Sequence, residues 1–352
     1  MSHPRLVLIT GINGYIAAHT AATFLRAGYS VRGTVRARTP NVESLVHKLS
    51  EHHDGTKLEL IEVPDISANG AFDRAVQGVQ AIAHLASPVS MTEADPGPMM
   101  RAAVEGTTSL LFSALAESKR KVGGQAALKS VVFMSTISAV FSPNRPDGHA
   151  FTEADWNDVA EEAARTLAPG SSGYLIYQAS KTVAERAFWK FGQESGAGFG
   201  MTALCPAPVL GPPLYLPQPI SSLSMRVKDV YDILHGGPIP DFAPIRSTFI
   251  DVRDVAELVF RATQQHDQTA GARERYLLVG QSAISPQGIA DTLREHFPER
   301  RDIIREGNPG EAHPEMMWKF DSSKARGLLG RDWVGFSESI VDSAKLFMDA
   351  KI

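Results

Sequence analysis

One stretch near the start of the chain constrains the fold most strongly. The aliphatic run at 6–9 is followed by Gly11, by Gly14 three residues later and by the small Ala17 three residues after that. This order predicts a buried strand that turns directly into a helix, in which Gly11 permits the turn and Gly14 lets a ligand approach the backbone. The free N–H groups at the start of such a helix suit a pyrophosphate. A glycine-rich turn that binds no ligand is the alternative interpretation.

The composition indicates a globular protein and excludes several classes. Of the 352 residues, 43% are hydrophobic and 21% are charged, and the formal net charge is −4. This balance offers no basic surface for nucleic acid or for an anionic membrane. Because Cys205 is the single cysteine, an intrachain disulfide and a cysteine-rich metal site are excluded, and we predict no metal. The sequence shows no bilayer-length apolar run and no signal-peptide pattern, so we expect a cytoplasmic protein.

Strand and helix patterns alternate along the chain, which predicts an α/β fold built on a doubly wound parallel sheet. We expect irregular chain at 142–172, apart from one short helical piece, and again at 214–246. The predicted strands lie at 6–9, 29–35, 57–63, 81–88, 130–136, 201–206 and 275–280. The predicted helices follow residue 14 and lie at about 98–119, 173–190, 248–263, 285–297 and 337–349.

This order of elements also predicts two units. A nucleotide-binding domain covers 1–206 and is rejoined by about 248–280. A smaller C-terminal substrate-binding lobe covers 207–247 and 281–352.

The end of the second predicted strand carries a signal for the type of dinucleotide. In dinucleotide-binding folds this strand end meets the adenosine ribose, where an acid binds the free 2′-hydroxyl and an arginine pairs with a 2′-phosphate. Arg36 closes the strand, Arg38 follows it, and no Asp or Glu occurs between Arg32 and Pro40. The sequence therefore favours NADP over NAD. The alternative is that both arginines are solvated loop charges.

Two polar residues near strand ends are open to more than one interpretation. Asp65 follows the third predicted strand, where it could accept a hydrogen bond from an adenine amino group or cap a helix that begins near Asn69. His84 lies inside the apolar fourth strand, and we interpret it as a core histidine rather than a catalyst. The small residues after His84 leave room for a ligand at the carboxyl end of that strand.

A tyrosine and a lysine on one predicted helix form the strongest catalytic candidate. Tyr177 and Lys181 are four residues apart, so they share one face of the helix. A neighbouring ammonium favours the phenolate and lowers the pKa of a tyrosine toward the working range. The pair follows the fifth predicted strand, which ends in Ser135 and Thr136, and a hydroxyl there could hydrogen-bond a substrate carbonyl oxygen. A core aromatic residue beside a surface lysine is the alternative.

Taken together, these motifs resemble the extended short-chain dehydrogenase/reductase superfamily. Within it the chain is most similar to the branch of dihydroflavonol reductases, cinnamoyl-CoA reductases and fungal methylglyoxal or aldehyde reductases. The resemblance covers nearly the whole chain. It rests on Thr10-Gly11-x-x-Gly14-x-x-Ala17, Val31-Arg32-Gly33-Thr34-Val35-Arg36, Val63-Pro64-Asp65-Ile66, His84-Leu85-Ala86-Ser87-Pro88, Tyr177-x-x-x-Lys181, Phe249-Ile250-Asp251-Val252-Arg253-Asp254-Val255-Ala256 and Phe320-Asp321-Ser322-Ser323-Lys324-Ala325.

The resemblance implies a Rossmann-type fold, NADPH/NADP+ as the cofactor and the reduction of an aldehyde or ketone. Tyr177 would protonate the carbonyl oxygen as the general acid. Lys181 would hold the nicotinamide ribose and lower the pKa of Tyr177, while Thr136 would stand at the position of the family's catalytic serine. The implied cofactor-binding residues are Gly11, Asn13, Gly14, Tyr15, Ile16, Arg36, Asp65, Ile66, Ala86, Ser87, Tyr177, Lys181, Pro206 and Val209.

The chain departs from the family pattern at three positions. Thr136 keeps the hydroxyl of the usual serine, but its methyl group narrows the site. Cys205 replaces the usual asparagine, and we interpret it as a small buried residue without reactivity. Phe141 replaces the asparagine with which flavonoid reductases read ring hydroxyls, so a flavonoid substrate is disfavoured and an apolar carbonyl pocket is expected. The expected crevice is lined by 87–95, 137–175 and 207–247.

Three other functions are considered beside a carbonyl reductase. A nucleotide-sugar epimerase or dehydratase is disfavoured because dehydratases follow the threonine with an Asp-Glu pair, whereas Ile137 and Ser138 stand here. A regulator that binds NADP without turnover would be expected to lack the tyrosine-lysine pair, which is intact. A β-hydroxysteroid dehydrogenase remains a variant of the first reading. The expected partner is a small carbonyl compound, and we expect neither a nucleic-acid nor a membrane partner. We expect the protein to be a monomer or a homodimer.

Overall fold

The computed structural model describes residues 5–51, 57–87, 95–122, 125–126, 128–240, 248–265, 271–309 and 318–350. Within them, seven parallel strands form one central sheet in the order β7-β6-β5-β4-β1-β2-β3. The strands are β1 (Leu6–Ile9), β2 (Ser30–Val35), β3 (Leu58–Glu62), β4 (Ala81–His84), β5 (Ser130–Met134), β6 (Gly200–Pro206) and β7 (Arg273–Leu278). This sheet confirms the predicted Rossmann-type fold.

The part of the chain that the structure describes contains a second, smaller sheet and ten α-helices. They are α1 (Tyr15–Arg26), α2 (Pro40–Ser50), α3 (Pro96–Ser118), α4 (Asp158–Ala163), α5 (Gly173–Glu194), α6 (Met225–Leu234), α7 (Val252–Gln265), α8 (Pro286–His296), α9 (Ser323–Leu329) and α10 (Phe336–Asp349). Short strands at Val209–Leu210, Thr248–Asp251 and Gln281–Ser282 form the smaller sheet. Two-residue pairs also join Lys121–Val122 to Gln125–Ala126 and Ala150–Phe151 to Lys319–Phe320. None of the described helices is both long and apolar enough to cross a membrane.

The central strands are short apolar runs because helices cover both faces of the sheet. Every residue of β4, β5 and β6 is buried, which is the pattern of parallel strands with no solvent-facing side. One core lies between the sheet and the side that carries α1, α2 and α7, and a second lies on the side of α3 and α5. A third core lies among α6, α8 and α10.

The order in which the chain adds strands to the sheet reverses between β1 and β4. The chain builds β1, β2 and β3 toward one edge and then returns to add β4 beside β1, continuing to the other edge. In open sheets of this kind the crevice at the carboxyl ends of the strands, at the reversal, receives the ligand. The glycine-rich turn follows β1 at this point.

Several predicted elements need correction. The predicted helix at 248–263 begins only at residue 252, because 248–251 pairs as a strand in the smaller sheet. The stretch 214–246 contains α6, which the sequence reading missed because its apolar side is buried by tertiary packing on α8 and α10. The prediction also omitted α2 and α9, and no helix begins near Asn69, where the chain forms turns. The fourth strand ends at residue 84, and its predicted last residue Pro88 lies outside the described residues.

The domain boundaries remain a prediction. The α6, α8 and α10 core lies within the residues that were predicted for the smaller lobe. The segment 318–329 packs differently, since Trp318, Ala325 and Leu329 belong to the core of the large sheet.

Gly33 in β2 provides a test of how tightly the glycine-rich turn packs. A Cβ at this position would lie 2.6 Å from side-chain atoms of Ile12. We expect Gly33→Ala to lower the free energy of unfolding by about 1–3 kcal/mol, the usual range for overpacking a core. As the matched control, Gly327 lies in α9 with open space around it, so Gly327→Ala should stabilise by up to about 1 kcal/mol. Equilibrium urea unfolding measures both changes, and equal effects would contradict the packing argument.

Candidate functional site

The predicted site residues are distributed over the carboxyl ends of six central strands and over α5. Gly11 follows β1, Arg36 follows β2, and Thr136 follows β5. Because the carboxyl ends of parallel strands meet at one edge of a sheet, these residues face one crevice. The other members of the set are Asn13, Gly14, Tyr15 and Ile16 at the start of α1, Asp65 and Ile66 after β3, Ala86 and Ser87 after β4, Pro206 and Val209 at and after the end of β6, and Tyr177 and Lys181 on α5.

The turn after β1 has the shape that the glycines predict. Gly11 has a φ of +63°, and a Cβ on it would lie 3.1 Å from the Cβ of Ala86. Gly14 is the N-cap of α1, and neither a capping side chain nor an acidic residue occupies the first turn of that helix. The N–H groups at this helix start therefore retain the capacity to bind an anion. The contact between Gly11 and Ala86 also explains why a small residue follows β4.

Thr10 and His84 connect β1 to β4 directly beneath this turn. The Thr10 hydroxyl oxygen accepts hydrogen bonds from the N–H groups of Leu85 at 3.0 Å and Ala86 at 2.9 Å, and it lies 2.9 Å from His84 Nδ1. A hydroxyl has one proton to donate, so it donates to Nδ1, which places the imidazole proton on Nε2. Burial lowers the pKa of His84 to about 3. His84 is therefore a neutral core histidine, as predicted.

The end of β2 presents one arginine without an ion pair. Arg38 is half exposed and lies 3.8 Å from both Glu43 and Glu62. Arg36 is exposed, and no described acidic residue pairs with it. The guanidinium of Arg36 is thus the group available to a phosphate at this strand end.

The turn after β3 shows which groups the Asp65 carboxylate bonds. Asp65 Oδ1 accepts hydrogen bonds from the backbone N–H of Ser67 at 2.9 Å and from its hydroxyl at 2.6 Å, and these bonds lower the pKa of Asp65. The helix-cap reading is wrong, because no helix begins near Asn69. Ile66 packs against α3, where a Cβ at Gly106 would lie 2.8 Å from Ile66 Cδ1. The adenine contact of Asp65 stays a prediction.

Tyr177 and Thr136 meet where α5 passes the end of β5. Tyr177 is partly buried, and its phenol forms a hydrogen bond with the Thr136 side chain. Thr136 also accepts a hydrogen bond from the backbone N–H of Ser138 at 3.2 Å. Burial raises the pKa of Tyr177 above its ordinary value, although the bond with Thr136 opposes the rise. The prediction of a lowered pKa for Tyr177 is therefore wrong in this structure.

Lys181 explains that difference, because its ammonium points elsewhere. Its Nζ donates to the carbonyl oxygen of Met134 at 2.7 Å and lies 3.5 Å from Ser87 Oγ. Burial lowers the pKa of Lys181 to about 8, while the Glu185 carboxylate opposes the shift. An ammonium has three N–H donors, so two protein contacts leave one for a ligand. Lys181 thus links the ends of β4 and β5 to α5.

The two other departures from the family pattern are packing residues. Burial, with the nearby Glu185 carboxylate, raises the pKa of the Cys205 thiol to about 12, which fits the predicted unreactive residue. Phe141 is buried, with its ring 4.8 Å from that of Trp318 and 5.3 Å from that of Phe151. It belongs to the core beside the crevice. The crevice segments 88–94 and 241–247 lie outside the described residues.

Residues 211–215, part of the predicted crevice lining 207–247, lie across the start of α1. The Tyr15 hydroxyl donates to the carbonyl oxygen of Gly211 at 2.7 Å, and the His19 ring nitrogen Nε2 lies 2.9 Å from that of Pro212. In the opposite direction, the Tyr215 hydroxyl donates to the Asn13 carbonyl oxygen at 2.8 Å. These bonds join the glycine-rich turn to the chain that follows β6. Tyr15 therefore contributes to the site through its side chain as a tether and through its backbone as a helix start.

Glu185 and Arg275 are the functional candidates that sequence reasoning missed. Glu185 lies one turn beyond Lys181 on α5, and Arg275 of β7 pairs with it in the protein interior. The four-residue spacing of Tyr177, Lys181 and Glu185 was the signal that could have identified the carboxylate. Among all the described residues, no three His, Cys, Asp or Glu side chains are grouped closely enough to hold a metal ion.

Comparison with known proteins places the chain in one family and shows that it is similar to reductases of that family. The family described as "NAD dependent epimerase/dehydratase family" matches residues 7–277. The chain is 31% identical over 350 residues to cinnamoyl-CoA reductase 1 of Arabidopsis thaliana, covering 97% of this chain and 88% of that protein. It is 29% identical to the NADPH-dependent methylglyoxal reductase of Saccharomyces cerevisiae, with 96% of each covered. Its structure is similar to the crystal structure of yeast methylglyoxal/isovaleraldehyde reductase complexed with NADPH, with a TM-score of 0.82 and 27% identity over 98% of this chain and 99% of that one.

Two histidines whose pKa values are lowered by burial, one of them partly exposed, predict an acid-sensitive fold. The pKa of His84 is lowered to about 3 and that of His19 to about 4, so the unfolded chain binds protons that the folded chain does not once the pH falls below about 6.5. Stability is then lost on acidification, by up to about 1.4 kcal/mol per pH unit for each histidine. Between pH 6 and pH 5, the wild type should lose about 1 kcal/mol more than His84→Gln.

The matched control for this measurement is His47→Gln, because the His47 side chain is 83% exposed. Urea unfolding at pH 7, 6 and 5 should show the same pH dependence for His47→Gln as for the wild type. If the unfolding free energy of His84→Gln fell with decreasing pH as steeply as that of the wild type, the lowered pKa of His84 would be contradicted.

Proposed function

Since the chain belongs to the NAD dependent epimerase/dehydratase family, we propose that it is an NADPH-dependent carbonyl reductase that converts an aldehyde or ketone to an alcohol. The resemblance to the reductase branch of the extended short-chain dehydrogenases is confirmed. The single observation that carries the mechanism is the meeting of Tyr177, Thr136 and Lys181 at the end of β5. Tyr177 acts as the general acid.

The residues present fit a 2′-phosphorylated dinucleotide. The uncapped start of α1 suits a pyrophosphate, and the Arg36 guanidinium, with which no described acidic residue pairs, suits the 2′-phosphate. Asp65 and Ile66 lie where the adenine would bind, and Pro206 and Val209 follow the crevice toward the nicotinamide. We assign these residues to the cofactor site as part of the proposal.

The raised pKa of Tyr177 suits reduction of a carbonyl. A phenol that holds its proton at neutral pH can give it to the carbonyl oxygen as that oxygen becomes an alkoxide. When bound, NADPH supplies the hydride to the carbonyl carbon. The Thr136 hydroxyl oxygen accepts a hydrogen bond from the Ser138 N–H, so its own proton is available to the substrate carbonyl oxygen or to the Tyr177 phenol. The remaining N–H of Lys181 is available to the ribose.

The alternatives are less well supported by this geometry. Ile137 and Ser138, which follow Thr136, are buried in a 3-10 turn, so neither supplies the acid that β-elimination by a dehydratase requires. A regulator without turnover has no need of an acid, a hydroxyl and an ammonium grouped at one strand end. A steroid-type dehydrogenase uses the same chemistry and differs in its substrate.

The partner is a carbonyl compound of moderate size. A cytoplasmic location, the lack of a nucleic-acid or membrane partner and a monomeric or homodimeric state stay predictions of the sequence.

Removing the phenolic hydroxyl tests the general acid. NADPH oxidation, measured by its near-UV absorbance against aldehydes, α-keto esters and aryl ketones, should fall in Tyr177→Phe by about 10³-fold in kcat, within the range of general acid catalysis. The matched control is Tyr29→Phe, because Tyr29 lies just before β2, at the amino ends of the strands and away from the crevice, where its hydroxyl donates to Gln264. A larger loss in Tyr174→Phe than in Tyr177→Phe would transfer the role to Tyr174, and NADPH binding without any turnover would favour the regulator.

Charge at the end of β2 tests the cofactor preference. Arg36→Ala should weaken NADPH binding by about tenfold to a hundredfold, the effect of losing a charged hydrogen bond to phosphate, and should leave NADH binding unchanged. Arg38→Ala is the matched control, since Arg38 already lies beside Glu43 and Glu62. Fluorescence titration with each nucleotide measures the dissociation constants. An equal loss for NADPH and NADH would place Arg36 away from the 2′-phosphate.

A further inference from the structure

Glu185 is a fully buried carboxylate that the proposed reaction does not use. Both of its oxygens are occupied. Oε1 accepts from Arg275 Nε at 2.6 Å and from Trp189 Nε1 at 3.1 Å, while Oε2 accepts from Ser135 Oγ at 2.5 Å and from Arg275 Nη2 at 3.1 Å. A carboxylate is stable in the interior when its oxygens are bonded and its charge is matched, and both conditions hold here.

The partners of Glu185 belong to the elements that carry the site. Ser135 precedes Thr136 in the chain, so its bond to Glu185 fixes the end of β5 against α5. Arg275 donates in turn to the carbonyl oxygens of Glu153 at 2.8 Å and Asp155 at 2.5 Å. Glu185 and Arg275 therefore bind the catalytic helix to the strand end and to the chain at 153–155 at once.

The Arg275 guanidinium also holds the next residue of that chain. It lies 3.9 Å from the centre of the Trp156 ring, and the Arg186 guanidinium of α5 lies 3.7 Å from the same ring. Two cations on one indole fix the segment that borders the crevice to the helix that carries Tyr177.

The charge of Glu185 also acts on Lys181, one turn away. The titratable and charged groups that act on the Lys181 ammonium come from three elements: Glu185 on α5, Cys205 on β6 and His84 on β4. Arg275 on β7 faces Glu185, with which it pairs. His84 is neutral and Cys205 holds its proton. Glu185 therefore supplies the negative charge within this set.

We propose that Glu185 is a positioning residue, which fixes Lys181 and Thr136 relative to each other and keeps the Lys181 amine charged at the working pH. This inference rests on the proposed function. Glu185 acts through Lys181, Ser135 and Arg275, and it does not touch the reacting atoms.

The test is the pH profile of kcat for carbonyl reduction, measured with Glu185→Gln and Glu185→Asp. The pKa of Lys181 is about 8, lowered by burial and raised by Glu185, so removal of the negative charge lowers it further. We expect the alkaline fall of kcat in Glu185→Gln to move to lower pH by about one pH unit. Glu185→Asp keeps the charge, so its fall should stay at the wild-type pH while kcat is reduced.

Arg275→Gln separates this charge effect from simple loss of packing. It breaks the same ion pair but removes the positive partner, so the alkaline fall should not move to lower pH. An equal downward movement in Glu185→Gln and Arg275→Gln, or no movement in Glu185→Gln, would overturn the proposal.

A milder change tests the positional part even where Glu185→Gln does not fold. Ser135→Ala removes the hydrogen bond to Glu185 and retains the charge, so kcat should fall several-fold with an unmoved pH profile. Ser130→Ala is the matched control, because Ser130 is buried on the same strand and its hydroxyl has no hydrogen-bond partner among the described residues. Equal kcat values in the two variants would contradict the positional role.

The pH dependence of the NADPH dissociation constant, measured by fluorescence, keeps the two proposals distinguishable. Lys181 loses its charge as the pH rises, so NADPH binding should weaken at lower pH in Glu185→Gln than in the wild type. If the wild type reduces no carbonyl, the proposed function fails, while this binding profile still decides whether Glu185 sustains the charge of Lys181.

Discussion

The site depends on the close approach of β1 and β4, between which the strand order of the sheet reverses. Thr10 holds the two strand ends together with a hydroxyl that uses its full capacity, donating to His84 and accepting from the N–H groups of Leu85 and Ala86. This brings Ala86 against Gly11, whose φ is +63° and on which a Cβ would lie 3.1 Å from the Cβ of Ala86. The glycine-rich turn, the start of α1 and the chain after β4 are thereby placed around one crevice, and every other site residue is arranged relative to it.

On the other side of the crevice, charged and polar side chains of α5 form the site. One face of α5 carries a phenol, an ammonium and a carboxylate at successive turns, and all three bond to the end of β5, through Thr136, the Met134 carbonyl oxygen and Ser135 respectively. Burial keeps the proton on Tyr177, lowers the pKa of Lys181 and is tolerated by Glu185 because Arg275 pairs with it. A general acid for carbonyl reduction has to hold a proton until charge develops on the substrate oxygen, and a low-polarity site with one nearby hydroxyl meets that condition.

The chain after β6 contributes to the same crevice from the other direction. Tyr15 and Tyr215 form reciprocal hydrogen bonds between the glycine-rich turn and residues 211–215. Asn41 of α2 exchanges two bonds of 2.8 Å with the backbone of Gln218. The segment is thus bonded to the start of α1, where the pyrophosphate is proposed to bind, and to the start of α2, the helix that follows Arg36.

Local pattern determined much of this protein. Apolar strand runs, Gly11, and the spacing of Tyr177 and Lys181 depend on neighbours within a few residues, so the parallel fold and the central pair could be predicted from the sequence. The helix at 225–234 and the strand at 248–251 could not, because packing and pairing across the smaller lobe decide them. The direction of the Tyr177 pKa also depended on burial and on where Lys181 points. The Glu185–Arg275 pair joins residues 90 positions apart, and only the folded sheet brings such charges together.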